Sequence, residues 1–469
     1  MRFLAILTII FLISVNNFAQ SGRVTPNAVN KTDINILSIQ KLYEEARNYY
    51  LTKITEFSEK KIPYNNKLDK QIIREQKQLA AKNAAIAAKR TNLAGEDFYF
   101  LGLLYDGSDN LDNAAENFKK FIATENPAIQ KVQTSRSVLV TIAAKQKKFD
   151  EAEKFLNDYL KTDPVRLNER AHIESELAEN YYQEKNYAKS AAHALESLRA
   201  RKALFQDSPS RAKGLDDLVS AAVTVFKSFR DSEKVKEADD ALADLRETAV
   251  FVGSPSIYFY AVDKQIKYKI ETGRKPAAMQ DYQNALLQIM KDFSQKSLQT
   301  DALERIKRRE KHYKLLGEPA IELADVEKWF PGEAKTLASL RGKVVFLDFW
   351  ATWCGPCIEA FPHLIELNED FKKDGLEILG VTRYYGGQIR MESEEAEISF
   401  LRNFQKTNGL SYDFVVTKGQ ANQINYAATG IPTTVLIDRK GIIRYLESGT
   451  NETRLEEIRE TIIKLLAEK

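Results

Sequence analysis

The sequence predicts a multidomain protein in which an all-α helical-repeat N-terminal region precedes a C-terminal α/β domain. Three observations predict it. The chain has 469 residues, too many for one ordinary hydrophobic core. From about Ile34 to Lys311 apolar residues recur at three- and four-residue spacing, with few Gly or Pro and no strand alternation, as amphipathic helices require. Around Leu316-Gly317-Glu318-Pro319 the pattern changes to short runs rich in Val, Ile and Phe that alternate with helical stretches.

Hydrophobic residues make up 43% and charged residues 29% of the chain, ordinary for globular material and unlike a disordered chain. Lys+Arg 69 nearly cancels Asp+Glu 66, leaving a formal net charge of +3. No basic excess points to nucleic acid, and none is expected as a partner.

The N-terminus pairs Arg2 with an apolar run from Phe3 to Val15, turns polar at Asn16 and Asn17, and offers the small residue Ala19. This resembles a secretory signal peptide over residues 1–19, cut after Ala19. The run falls short of the ~20 residues of a spanning helix, and no cysteine follows it to carry a lipid. The expectation is an exported protein of the bacterial periplasm, with an uncleaved membrane anchor as the alternative.

Within the helical region, residues 31–311, a loose repeat can be traced. Phe98, Leu101, Gly102, Tyr105, Ala114, Phe118 and Pro127 fall close to one template, and Leu139, Ala152, Leu156, Tyr159 and Pro164 fit it again. A weaker third copy runs through Ala178, Tyr181, Ser190 and Ala194. The pattern resembles the tetratricopeptide repeat, but Ala114, Ala152 and Ser190 recur every 38 residues, longer than the usual ~34. A fourth pair around Phe226 and Ala238 is shifted by the Gln206-Asp207-Ser208-Pro209 break and Gly214. The alternative is an irregular helical bundle. His172 and His193 have no clustered ligands and are read as packing or surface residues.

In the C-terminal domain, residues 316–469, strands are expected at Val344 to Phe349, Leu376 to Thr382, Phe414 to Val416, Thr434 to Asp438 and Ile442 to Glu447. Helices should follow Cys354, fill Ser393 to Thr407, and close the chain from about Glu452 to Ala467. Asp438-Arg439-Lys440-Gly441 reads as a hairpin turn, with Gly441 supplying positive φ.

The two cysteines, Cys354 and Cys357, are the whole cysteine content. A bridge between residues three apart closes too small a loop to stabilise much, so a thiol pair kept for chemistry fits better than a structural disulfide. Where a strand gives way to a helix, Cys354 meets free N–H groups and the positive end of the macrodipole, which stabilise a thiolate. Cys357, one turn later, is the more protected, resolving thiol. A zinc half-site is the competing reading of any C-x-x-C, but there is no second cysteine pair and no H-x-x-x-H, so no metal is expected. Asp348 lies six residues before Cys354 on a strand that should be buried on both faces, a costly place for a carboxylate without a role. Trp350 and Trp353 read as packing and surface-shaping residues, Trp353 being the one to touch a substrate. Pro362 should kink its helix, and His363 has a structural reading only.

The run Asp348-Phe349-Trp350-Ala351-Thr352-Trp353-Cys354-Gly355-Pro356-Cys357 resembles the active-site stretch of the thioredoxin superfamily. Leu340-Arg341-Gly342-Lys343-Val344-Val345 upstream and Gly430-Ile431-Pro432-Thr433-Thr434 downstream narrow the resemblance to the TlpA/ResA-like group. It spans roughly Leu316 to Lys469 and implies a thioredoxin fold and a redox disulfide between Cys354 and Cys357. It further implies that Asp348 accepts the proton of Cys357, and that Pro432 follows a cis bond facing the cysteines. The Ile431 backbone would pair with an extended substrate segment. TlpA/ResA-like proteins carry an insertion between Thr382 and Pro432, where this chain has its extra helix. The group's accessory glutamate, three positions after the second cysteine, is Ala360 here, and Glu359 points elsewhere, which makes Asp348 the better base.

The resemblance implies a disulfide reductase that needs no cofactor, acts on protein disulfide substrates, and draws electrons from a membrane thiol donor. Gly355-Pro356 resembles the dipeptide of reducing thioredoxins. An alternative of another class is a scaffold whose repeats hold a peptide or protein, with a subordinate redox site. Disulfide oxidase or isomerase activity, and a peroxiredoxin-like antioxidant, are the remaining alternatives; the last is disfavoured because the threonine-containing cysteine motif is missing.

Overall fold

The computed structural model describes residues 37–63, 65–207, 214–386 and 391–468. The expected signal peptide lies outside them. The chain divides into two compact units, one ending at Ala241 and one beginning at Leu242.

In the first unit α1 (Ile39–Glu59) and α2 (Asn66–Ala88) precede a run of helical hairpins. These pair α3 (Glu96–Asp106) with α4 (Leu111–Ile122), α5 (Ile129–Lys145) with α6 (Phe149–Leu160), and α7 (Leu167–Gln183) with α8 (Tyr187–Asp207). Next come α9 (Leu215–Asp231) and α10 (Val235–Val252), which holds the boundary between units. The hairpin turns recur because each first helix ends in the same way. Asp109, Lys147 and Lys185, spaced 38 residues apart, all have φ near +60°. The next amide bonds back five residues, Asn110 N to Tyr105 O, Lys148 N to Ala143 O and Asn186 N to Tyr181 O, each at 2.9 Å. This is the left-handed closure that satisfies the last carbonyls of a helix. Ala114, Ala152 and Ser190 are fully buried, and Ser190 Oγ donates to Ala178 O at 2.8 Å. Glu233 repeats the turn ten residues late, so the expected shift of register falls between α8 and α10. His193, on α8, is held between Glu174 (Nδ1 to Oε2, 2.7 Å) and Glu153 (Nε2 to Oε1, 3.2 Å).

In the second unit α11 (Pro255–Glu271), α12 (Lys275–Asp292), α13 (Lys296–Arg308) and α14 (Glu310–Leu315) lead into an α/β domain. Its strands are β1 (Val326–Phe330), β2 (Val344–Phe349), β3 (Leu376–Arg383), β4 (Asp413–Thr417), β5 (Thr433–Ile437) and β6 (Ile443–Ser448). Its helices are α15 (Gly355–Phe371), α16 (Glu394–Thr407), the short α17 (Ala421–Asn425) and α18 (Glu452–Ala467). The sheet order is β1-β4-β3-β2-β5-β6. β2, β3 and β4 run parallel, and β1, β5 and β6 pair antiparallel to their neighbours. The five expected strands are present within one or two residues, and α15 continues through Pro362. β1 was not anticipated.

Every residue of β2 is buried, as its unbroken apolar run Val344-Val345-Phe346-Leu347 suggests. Its two faces enter different cores. Phe346 and Trp350 join a cluster with Phe361 and Leu364 of α15 and Ile458 and Ile462 of α18. Val345, Leu347 and Phe349 join one continuous core with Tyr258, Val262 and Ile266 of α11, Tyr282 of α12, Ile306 of α13 and Tyr313 of α14. The change of pattern near residue 316 therefore marks where strands begin, whereas the compact unit starts at Leu242, within α10, and includes four further helices ahead of the sheet.

Polar contacts reinforce this union. Glu447 of β6 is buried and is paired with Lys267, with Arg309 Nη2 at 2.6 Å and with Arg454 Nη2 at 3.4 Å. Against the upward push of burial, Lys267 and Arg309 hold its carboxyl below the usual range. Asp263 accepts from Lys267 Nζ at 2.7 Å, Arg309 Nε at 3.2 Å and the Tyr313 hydroxyl at 2.8 Å. A fragment starting at residue 316 loses Lys267 and Arg309 as partners of Glu447 and, more costly, the apolar cover that α11 to α14 give Val345, Leu347 and Phe349, each such side chain being worth roughly 1.5–3 kcal/mol when buried. In urea unfolding, fragment 242–469 is expected to show one cooperative transition, at a clearly higher midpoint than fragment 316–469. Equal midpoints would show that α11 to α14 add nothing to the α/β domain.

Candidate active site

The parallel strands β2 and β3 end on the same side of the sheet, and the cysteine segment leaves directly from β2. Trp350 N still donates to Val381 O (3.1 Å), and Cys354 N donates to Ala351 O (3.1 Å), closing a tight turn. Cys354 is the N-cap of α15, with extended backbone angles, and its Sγ accepts from the Cys357 amide at 3.3 Å. Pro356 stands in the first turn, where its missing N–H costs no helical bond. Cys354 and Cys357 form a disulfide with Cα atoms 5.3 Å apart. Both are buried, at 4% and 1% exposure, so the difference in protection expected between them is small. The stronger asymmetry is electrostatic, because the helix N-terminus points at the Cys354 sulfur.

Asp348 is 3% exposed and, two residues from Phe346 and from Trp350, shares with them the face of the sheet whose apolar cluster contains both cysteines. Its neighbours across the sheet are Gly380 and Thr434. Burial pushes its carboxyl up to about 7. Burial, and after it the Asp348 charge, raises the pKa of Tyr412, whose buried hydroxyl has no hydrogen-bond partner among the described residues. Gly380 is required by close approach, since a Cβ there would lie 2.7 Å from Trp350 Nε1 and 2.9 Å from Phe414 Cβ. That gap lets the fully buried Trp350 ring pack edge-on against Phe361 and Phe414 and stack on Phe404.

The Ile431–Pro432 bond is cis, and Ile431 packs against the cluster that contains the cysteines. The loop around it is pinned to β6. Gly449 N donates to Pro432 O at 2.6 Å, while Thr433 Oγ1 donates to Gly430 O at 2.5 Å and lies 2.8 Å from Ser448 Oγ. Trp353 is 54% exposed, and its ring meets Tyr385 edge-on at 5.4 Å. The Arg383 guanidinium covers Tyr385 at 4.3 Å. Beneath them the buried Glu397 accepts from the amides of Tyr385 (2.8 Å) and Gly386 (2.9 Å). Glu359 is exposed and Ala360 buried, so no carboxylate occupies the accessory position after Cys357.

The structure therefore brings Cys354, Cys357 and Asp348 to one face of the sheet, with Ile431 against the same cluster and Trp353 at its surface. Sequence reasoning missed Gly380, Tyr385, Glu397 and Tyr412. Glu397 left a trace, because it shares a helical stripe with Leu401 and Phe404, where an acid is out of place. Among the described residues no group of three or more His, Cys, Asp or Glu is arranged to hold a metal ion.

A sheet of this order with a Cys-Gly-Pro-Cys disulfide capping the helix after its central strand defines a thioredoxin-fold thiol-disulfide oxidoreductase. Residues 318–462 match the Redoxin family. ResA, the thiol-disulfide oxidoreductase of Halalkalibacterium halodurans, is 36% identical over 149 residues, covering 31% of this chain and 76% of the relative. The ResA of Bacillus thuringiensis strain Al Hakam is 34% identical over 123 residues, 26% of this chain and 62% of the relative. Among solved structures, the thioredoxin domain of a Bacteroides vulgatus thiol-disulfide oxidoreductase is 21% identical, covering 31% of this chain and 97% of that one with a TM-score of 0.25. StoA of Bacillus subtilis is 22% identical, covering 31% and 97%, with a TM-score of 0.24. The chain belongs to the ResA-like thiol-disulfide oxidoreductases of the thioredoxin superfamily.

The raised pKa of Asp348 has a signed consequence for stability. An unfolded aspartate loses its proton near 3.8, but in the folded chain it does so near 7. Between these values the folded state holds a proton that the unfolded state has lost, so this group's contribution to stability falls as pH rises from about 4 to about 7 and then levels. Asp348→Asn removes that loss. The variant is expected to gain on the parent progressively over this window, by on the order of a few kcal/mol at pH 7, in urea titrations at a series of pH values. A stability difference independent of pH would contradict it.

Proposed function

We propose that the protein is an exported disulfide reductase acting on protein substrates. The observation that carries this reading is the Cys354–Cys357 disulfide at the N-terminus of α15, with the buried Asp348 carboxyl on the same face of the sheet. In the reduced form the Cys354 thiolate attacks one sulfur of a target disulfide, forms a mixed disulfide, and expels the other target sulfur as a thiolate. Cys357 then gives its proton to Asp348, directly or through water, and attacks Cys354 Sγ. The second target thiol leaves, and the enzyme is left two electrons oxidised as the Cys354–Cys357 disulfide. A carboxyl titrating near 7 suits this shuttle at neutral pH.

Ile431 offers its backbone to an extended segment of the substrate, and Trp353 lends exposed aromatic surface beside the reacting sulfur. An outside dithiol must reset the pair, and a membrane thiol donor fits an oxidising compartment. Export rests on the signal-peptide resemblance of residues 1–19. Among the described residues no helix is long and apolar enough to cross a membrane.

A second role for the first unit is favoured by one feature. The turn that recurs every 38 residues fits a lengthened tetratricopeptide-like array. An open groove of about 230 Å³ between its helices is lined by Ala115, Leu139, Ile142, Ala143 and Phe155, with Lys119 and Glu151 among its polar residues. Such grooves hold peptide segments, so this region delivers substrates or partner proteins to the redox unit.

Cys357→Ser should arrest the cycle at the mixed disulfide, and target proteins should be captured through Cys354 and released by added dithiol. Capture by Cys354→Ser in its place would reverse the assignment. Asp348→Asn should slow release of the reduced target by ~10²-fold or more while changing the initial attack by Cys354 much less. Rapid mixing with quenching by alkylation separates the two steps. An equal loss in both, or in neither, would remove Asp348 from the proton path.

A further inference from the structure

His312, on α14, is buried with both ring nitrogens engaged. Arg309 Nη1 lies 2.7 Å from its Nδ1, and a guanidinium can only donate. Nδ1 is therefore the acceptor and the proton of the neutral ring sits on Nε2, which donates to the Ala427 carbonyl at 3.2 Å. Burial and the Arg309 charge push the ring's pKa down to about 4, so it stays neutral in ordinary buffers. Arg309 cannot readily turn away, because Nε bonds Asp263 and Nη2 bonds Glu447.

Those contacts grip both sides of the loop that carries Ile431 and Pro432. Ala427 stands four residues before Ile431 and has φ +51°, a left-handed conformation that an alanine does not hold by preference. The peptide plane after Ala427 is held at its N–H end by Ala428 N donating to Gln423 O at 2.7 Å, which closes α17, and at its carbonyl end by His312. Glu447 pairs in register with Thr434, and the next residue of β6, Ser448, pairs with Thr433. One guanidinium thus fixes the approach to the loop through His312 and the strand beyond it through Glu447.

We propose that His312 is a positioning residue for substrate binding: relayed from Arg309, its Nε2–H holds the Ala427 carbonyl and so keeps the Ile431–Pro432 loop aligned to receive a substrate backbone. This rests on the reading that Ile431 pairs with the substrate. The effect falls on polypeptide disulfides, which need the loop, and spares small disulfides, which need only the sulfur pair.

The test uses the full chain with His312→Asn, which keeps an acceptor for Arg309 but falls short of Ala427, and His312→Gln, which returns an N–H donor near the position of Nε2. His312→Leu takes the place of the Asn variant should that one not fold. Insulin and 2-hydroxyethyl disulfide are the two disulfide probes. The Asn variant is expected to raise KM for insulin between about threefold and tenfold, the worth of one hydrogen bond. Its kcat/KM for the small disulfide and the reduction potential of Cys354–Cys357 should be unchanged. Hydrogen exchange at the amides of Ala428 to Ile431 should quicken, and the Gln variant should recover at least half of each change. Unchanged exchange and unchanged insulin KM would overturn the proposal. So would equal losses on both probes together with a shifted potential, which would make His312 a general support of the fold. If the parent reduces the small disulfide and not insulin, the reading of Ile431 fails, and the exchange comparison alone decides whether His312 holds the loop.

Discussion

The burial of β2 on both faces constrains everything around it. A strand enclosed in this way must satisfy its backbone through β3 and β5 and fill two separate cores with alternating side chains, so its register cannot slip without inverting both. That fixed register sets Asp348 among apolar neighbours, and the cost of burying its charge becomes a raised pKa. It also fixes where the chain leaves the sheet, and hence where Cys354 caps α15. The disulfide and the carboxyl are thus positioned by one packed strand.

The second face of β2 shows why the α/β domain is not bounded at its first strand. Val345, Leu347 and Phe349 share their core with α11 to α14, and the Asp263, Arg309 and Glu447 contacts add charges that are costly to leave unpaired. Burial of ions in this way specifies geometry more than it adds stability. Here the specified geometry is that of β6 and the loop beside it. The helices preceding the sheet therefore support β6 and the approach to the loop that carries Ile431 and Pro432.

Local features of this protein were legible in its sequence, and long-range ones were not. β2 and α18 could be read to the residue from an apolar run and from amphipathic spacing, because burial and periodicity are written in neighbouring residues. The turn at Gly441, with φ +78° and Gly441 N donating to Asp438 O, follows from the conformational freedom of glycine. β1 was hidden because Val-Glu-Lys-Trp-Phe is short and polar at its centre, and its pairing with β4 joins segments far apart in the chain. Gly380 looks like any strand glycine until Trp350 is laid over it. His312 acquires meaning only when Arg309 and Ala427 are brought together by the fold. The pair Cys354 and Cys357 was the easiest part of the site to find, since spacing and position at a helix start carry the chemistry by themselves.

As a reductant, the pair that leaves β2 and caps α15 must hold its disulfide at a low potential. The reduction potential of Cys354–Cys357, measured in the full chain by equilibration with glutathione or dithiothreitol buffers, tests it most directly. A value near ~-270 mV, in the range of reducing thioredoxins, is the predicted result. A value above about -170 mV, toward the strong oxidants, would contradict it and make the protein a donor of disulfides instead.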